Sequence, residues 1–216
     1  MCSINMAFDD SVINPAIQES LPRGSLVTTE ALFAFQNDES PKLDLWNLHE
    51  YGESYNNSFP VKSDEDLVKL VHMQAPTTQE SSTQPSTLFK DTSLGLLWHN
   101  GIIFQSEIER LNKKYNLDYK WDTDLLHWIF VNRFEELGEI RGSFACVYNL
   151  PERGVLIFRN ETAPLYYGRK LISSIKTSES PYEVTPGIVF SLLRIGNAFY
   201  LEEESRFNLS ESPFEF

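Results

Sequence analysis

The apolar positions of this chain fall in short runs between polar stretches, and their period changes along the sequence. CSINMAF at the start is short and apolar and predicts a strand. Arg23-Gly24 marks a turn, and Val27 to Phe35 is rich in Thr, Val and Phe, as strands are. Residues 36–66 are polar and acidic, with two prolines and one glycine. They predict a long excursion carrying one helical turn near Leu45–Leu48. Leu67–Gln74 returns to strand-like alternation, and residues 77–87 form a second polar loop. Leu94–Trp98 reads as a strand that Asn100-Gly101 breaks.

The period then lengthens to that of helices. Ser106 and Glu109 spell a capping box, followed by Ile108, Leu111 and Tyr115 on one face. Asp122 or Thr123 is expected to cap a second helix running to about Leu137, with Leu125, Leu126, Ile129, Phe130 and Phe134 as its apolar stripe. After Gly142 the alternation is again that of strands. SFACVYNL, the Pro151–Gly154 turn and VLIFR predict a hairpin. PLYYG, LISSIK, Val189–Arg194 and Ala198–Leu201 predict further short strands, with a short helix as the other option for Val189–Arg194. Strands, two helices, then more strands predict an α+β fold of stacked layers, not a βαβ parallel sheet.

Composition narrows the classes. The chain has 216 residues, with 31 acids against 18 bases and a formal net charge of −13. Its 41% apolar content, including 15 Phe, 9 Tyr and 4 Trp, needs a real core and argues against a disordered chain. The acidic balance argues against nucleic acid as a partner, because phosphate binding needs a basic surface. No apolar run approaches a membrane span, and the N-terminus has no basic-then-apolar leader, so no membrane partner and a cytoplasmic location are expected. Two cysteines, Cys2 and Cys146, exclude a disulfide framework and fit reduced thiols. Cys146 reads as a small hydrophobe in a core strand. The four histidines, His49, His72, His99 and His127, are scattered and predict no metal site, and there is no glycine-rich phosphate loop.

Several stretches, in one order, carry a more specific signal. Cys2 directly follows the initiator Met. His99-Asn100-Gly101-Ile102-Ile103 precedes a helix, and Asp122-Thr123-Asp124 opens the next one. Arg141-Gly142-Ser143-Phe144-Ala145, Arg159-Asn160 and Pro164-Leu165-Tyr166-Tyr167-Gly168 follow. This series resembles the class II glutamine amidotransferase domain, the glutaminase unit of the N-terminal nucleophile hydrolases. The likeness covers most of residues 1–190, and residues 36–66 match nothing in it. It implies a four-layer α/β/β/α sandwich of two mostly antiparallel sheets over residues 1–200, with residues 201–216 an acidic tail.

The resemblance also implies a chemistry. Removal of Met1 would leave Cys2 with a free α-amine, which titrates near pH ~8 and can act as base for its own thiol. The thiolate would attack a carboxamide and form a thioester. Asn100 and Gly101 would supply the oxyanion hole. Asp122 would hold the substrate's ammonium group, although an acid there also fits an ordinary helix cap. No cofactor is implied. The expected partners are glutamine or a related carboxamide and a separate synthetase or acceptor subunit, since no acceptor half accompanies the glutaminase-like unit.

One departure stands out. His72-Met73-Gln74-Ala75-Pro76-Thr77 lies where the family has H-T-R-W-A-T, whose Arg clamps the substrate's α-carboxylate. Thr77 is kept, but Gln74 replaces a charged bidentate fork with neutral donors. Arg23 is the nominated substitute, because the RGSLV turn resembles the family's R-G-x-D-S segment near the pocket. Ser3, where Gly is usual, and Asn160, where Asp is common, are smaller departures. The sequence thus leaves two readings: an active amidohydrolase, for glutamine or another acyl group, and a scaffold that has lost catalysis and serves as a binding or structural subunit.

Overall fold

The computed structural model describes residues 2–8, 10–23, 27–34, 42–50, 67–75, 95–195 and 198–209, with the backbone alone for 42–50. In chain order its elements are β1 (Ser3–Ala7), α1 (Asp10–Ser20), a 3-10 turn (Leu21–Arg23), β2 (Val27–Ala34), β3 (Lys42–Glu50), β4 (Leu67–Gln74) and β5 (Leu96–Ile103). Then follow α2 (Gln105–Tyr115), α3 (Asp122–Asn132), a 3-10 segment (Phe134–Glu139), β6 (Gly142–Leu150) and β7 (Gly154–Arg159). The chain ends in β8 (Tyr166–Tyr167), β9 (Leu171–Ser173), β10 (Tyr182–Glu183), β11 (Ile188–Ile195) and β12 (Ala198–Arg206).

Strand alternation explains the layering. A seven-stranded sheet has the order β10-β8-β9-β1-β4-β2-β3, and a five-stranded sheet has the order β12-β11-β7-β6-β5. Every strand pair is antiparallel. Because side chains alternate, Ile4 and Met6 of β1, Ala31 and Phe33 of β2, and Val68 and Leu70 of β4 share one face. They meet Trp98, Ala145, Val147, Val155 and Ile157 from the second sheet in one buried core. Trp98 is 1% exposed, and its indole N–H donates to Thr29 Oγ1 at 3.2 Å, so its polar end is satisfied inside that core. On the outer face of the first sheet, Val12, Ile13, Ala16 and Ile17 of α1 pack on Ala7, Val71, Met73 and Leu171. On the outer face of the second, α2 and α3 bury Ile108, Leu111, Leu125, Leu126 and Ile129 against Cys146, Tyr148 and Phe158. The result is the four-layer α/β/β/α sandwich, an α+β fold with two antiparallel sheets.

Several local expectations are corrected. Three α-helices are present among the described residues, not two: α1 carries Pro15 inside it, and only four buried apolar residues mark its face. The helical turn at Leu45–Leu48 is instead part of β3, paired with β2 from Val27↔Glu50 to Ala34↔Lys42. Asn100-Gly101 does not break its strand, because β5 runs through it in unbroken register with β6. The capping box at Ser106 does not form. The helix starts one residue earlier, its N-cap is Phe104 without a side-chain cap, and Glu107 is the acid that is used. That carboxylate is 1% exposed, takes a two-pronged bond from Arg110 at 2.7 Å, and accepts the Arg141 N–H. The second helix stops at Asn132 and gives way to 3-10 geometry, and its N-cap position is Trp121. Val189–Arg194 is a strand. The last strand continues to Arg206, past the expected end at Leu201, since it pairs with β11 as far as Ile188↔Arg206. The second polar loop of the sequence reading lies outside the described residues.

Candidate functional site

The site is assembled where the N-terminal end of β1 meets the C-terminal end of β4 and the far end of β5. Ser3 pairs with Met73, so continuing the register by one residue brings Cys2 opposite Gln74. Period-two alternation turns Cys2 to the same side as Ile4 and Met6, the side of the second sheet. Cys2 is 5% exposed, and its Sγ lies 3.8 Å from the Ala75 carbonyl. Burial pushes the thiol up to about 11; a hydrogen bond with the Ala75 backbone and the Arg23 charge pull it down, and the Asp122 carboxylate raises it further. The thiol is therefore neutral at pH 7, and both Arg23 and Asp122 are close enough to be felt by it.

His72 ties the two sheets together behind this point. Its Nε2–H donates to the His99 carbonyl at 3.2 Å, from β4 across to β5. Burial, followed by the neighbouring His99, lowers its pKa to about 3. A histidine held neutral in the fold but titrating near 6.5 when unfolded contributes stability above that value. The contribution is lost as pH falls from 6.5 towards 3. From this group alone, unfolding by urea is expected to need about 2 kcal/mol less at pH 5 than at pH 7. His72→Asn should flatten that pH slope, and an unchanged slope would contradict the assignment.

Gly101 has φ +156° and no room for a side chain, because a Cβ there would lie 2.0 Å from the Ser143 carbonyl oxygen and 2.7 Å from His99 Nε2. Glycine at this position is thus required by the close approach of β6. Asn100 beside it is 3% exposed, and among the described residues no hydrogen bond engages its carboxamide.

Asp122 is the first residue of α3 and is 7% exposed. Its Oδ1 accepts the Thr123 N–H at 2.8 Å, and its Oδ2 accepts the Ile103 N–H at 3.3 Å. The carboxylate is thus not a plain helix cap: it pins the start of α3 to the end of β5. Its position at the first turn also places it in the favourable field of the helix N-terminus.

Gln74 ends β4, is 8% exposed and pairs with Val27. Arg23 closes the 3-10 turn after α1. Its Nη1–H donates to the Ser174 carbonyl at 3.2 Å, while its Nε is buried without a hydrogen-bond partner among the described residues. Ser174 is bonded to the backbone of Ile4 through both its Oγ and its N–H, so this contact holds the guanidinium near the start of β1. Among the described residues, Ser3 Oγ is also buried without a hydrogen bond.

The structure thus places Arg23 and Asp122 each within electrostatic reach of Cys2, and brings the ring of His99, next to Asn100 and Gly101 on β5, to Asp122. Thr77 and Met1 lie outside the described residues. His72, Ser143 and Ser174 carry contacts that were not expected; His72 heads the segment ending in Thr77 and Ser143 lies in the Arg141–Ala145 motif, whereas Ser174 had no signal. Among the described residues no group of His, Cys, Asp and Glu is arranged to hold a metal ion, and no helix is long and apolar enough to cross a membrane.

No family model and no curated protein matches the chain. Among solved structures, it is similar to the allosteric regulatory enzyme of purine biosynthesis. The identity is 14% and the TM-score 0.65, over 97% of this chain and 50% of that one. The chain spans about half the length of that protein. The likeness is one of fold: the two share a sandwich of two antiparallel sheets.

Proposed function

We propose that this chain is an N-terminal-nucleophile amidohydrolase that cleaves glutamine or a related carboxamide and passes ammonia to a separate acceptor subunit. The observation that supports this best is the placement of Cys2 at the head of a central strand, within reach of Asp122 and Arg23. Processing would first make Cys2 the leading residue. Its α-amine takes the Sγ proton as the sulfur attacks the carboxamide carbon, and the oxyanion is met by the Asn100 carboxamide and the Gly101 N–H. The C–N bond then breaks, the α-ammonium returns the proton to the leaving nitrogen, and ammonia departs from the thioester. Water, deprotonated by the same amine, attacks the thioester, releases the acid and restores the thiol.

Asp122 faces the substrate's ammonium group, and Arg23 supplies the cation for its carboxylate that Gln74 cannot. The neutral Gln74 also motivates the second reading, a catalytically silent binding or structural subunit. A diazo-ketone analogue of glutamine, mixed with protein whose N-terminus is verified as Cys2 by intact mass, separates the two. The amidohydrolase reading expects one covalent adduct, on Cys2, together with glutaminase turnover. A verified Cys2 N-terminus with neither adduct nor turnover leaves the scaffold reading.

Recognition by Arg23 gives a further expectation. Gln74→Arg should raise kcat/KM for glutamine several-fold, and Arg23→Ala should lower it by about tenfold or more, the difference between charge-assisted and neutral hydrogen bonds. Equal turnover of carboxamides with and without an α-carboxylate by the wild type would count against a glutamine pocket.

A further inference from the structure

The imidazole of His99 is engaged on both sides. Its Nε2 lies 3.1 Å from the Ser143 carbonyl, which can only accept, so Nε2 carries the proton. Its Nδ1 faces Thr123 Oγ1 at 3.4 Å and Asp122 Oδ2 at 3.8 Å. The Thr123 hydroxyl also stands 3.4 Å from Asp122 Oδ1, so this one hydroxyl is shared between ring and carboxylate. The ring lies over Gly101 in the space a side chain there would occupy, with its Nε2 2.7 Å from the position of such a Cβ. The backbone of the same residue accepts the His72 bond from the other sheet.

We infer that His99 is a positioning residue that couples the carboxylate of Asp122 to the Asn100–Gly101 backbone, so that the ammonium-holding and oxyanion-holding halves of the site keep one geometry. The inference rests on the amidohydrolase reading. The physical need is plain: Asp122 sits on a helix and Gly101 on an edge strand of the second sheet, and displacing a site group by about 1 Å can cost on the order of 10² in rate. The described bonds spanning that gap are the Ile103 N–H to Asp122 and the two faces of the His99 ring.

The test uses full-length protein that begins at Cys2. His99→Gln keeps an N–H for the Ser143 carbonyl but presents nothing to Thr123 and Asp122, so KM for glutamine should rise about tenfold with kcat nearly kept. His99→Ala should change both constants. In a double-mutant cycle, the effect of Asp122→Asn on kcat/KM should shrink several-fold once His99 is already Ala. Nitrogen NMR of the wild type should show the Nε2–H tautomer, and Asp122→Asn should move the His99 Nδ1 resonance whether or not turnover is measured. Additive mutational effects, KM and kcat unchanged per labelled Cys2, or a His99 resonance indifferent to Asp122→Asn each overturn the positioning role. If His99→Ala does not fold, the Gln variant and the NMR comparison decide. Wild-type protein with neither turnover nor a Cys2 adduct overturns the amidohydrolase reading and this role with it, whereas wild-type turnover with additive variants overturns this role alone.

Discussion

Cys2→Ala is expected to remove amidohydrolase turnover to below about one thousandth of wild type while leaving the fold in place. The loss is large because the thiol is the atom that forms the covalent bond. Without it, binding and the oxyanion donors remain but have no adduct to stabilise. The fold should survive because the side chain contributes little: its one described hydrogen-bond contact is a long one, 3.8 Å from Sγ to the Ala75 carbonyl, and the change removes a single buried sulfur. The second cysteine gives an internal control. Cys146 is fully buried, and burial holds its thiol well above the ordinary range, so it should take no label from a diazo-ketone. Wild-type protein should gain the mass of one adduct and Cys2→Ala none. The buried, neutral state of the Cys2 thiol adds a second readout: iodoacetamide at pH 7 should react with it far more slowly than the substrate-like reagent does. Turnover persisting in the Ala variant, or equal labelling of both cysteines, would end the nucleophile assignment.

Much of this architecture was legible in the sequence, because two-residue and four-residue periods are direct consequences of burial. β1, β2, β4, the β6–β7 hairpin, α2 and α3 all carry apolar residues at the spacing their faces require. The misses share one physical cause, local preference yielding to tertiary pairing. KLDLWNLHE is polar overall, yet Leu43 and Leu45 keep a strand's alternation, and pairing with β2 makes it β3. Asn-Gly is a strong turn signal in isolation, yet eight paired residues from Leu96 to Ile103 outweigh it. α1 drew no expectation at all: Pro15 sits inside it, and only Val12, Ile13, Ala16 and Ile17 are buried on the sheet. At the site, the order of short motifs named Cys2, Asn100, Gly101 and Asp122. What it could not show was the wiring between them. The His72 bond, the two-sided clamp on His99 and the Arg23 contact with Ser174 join residues 24 to 151 positions apart, which no local pattern encodes.

Asn100→Ala is expected to lower kcat by about 10²–10³ with little change in KM, the usual cost of losing one oxyanion donor. The Asn100 carboxamide fits that role because it is buried and, among the described residues, unengaged. A donor already committed to a structural bond would have to break it before meeting the oxyanion, whereas this one needs no reorganisation. The effect should fall on kcat because the ground-state carbonyl carries little charge and gains its negative charge only as sulfur attacks. Gly101→Ala offers the contrast. Its added Cβ would lie 2.0 Å from the Ser143 carbonyl oxygen, so it must push β5 and β6 apart before any question of catalysis arises. That variant should lose stability and activity together, while Asn100→Ala keeps a wild-type melting temperature and full labelling of Cys2 at a reduced rate. Steady-state kinetics on the two, paired with thermal unfolding, separate a lost donor from a disturbed strand. A pure KM effect in Asn100→Ala would mean that this residue orients the substrate, and the oxyanion would then have to be met by the Gly101 N–H without it.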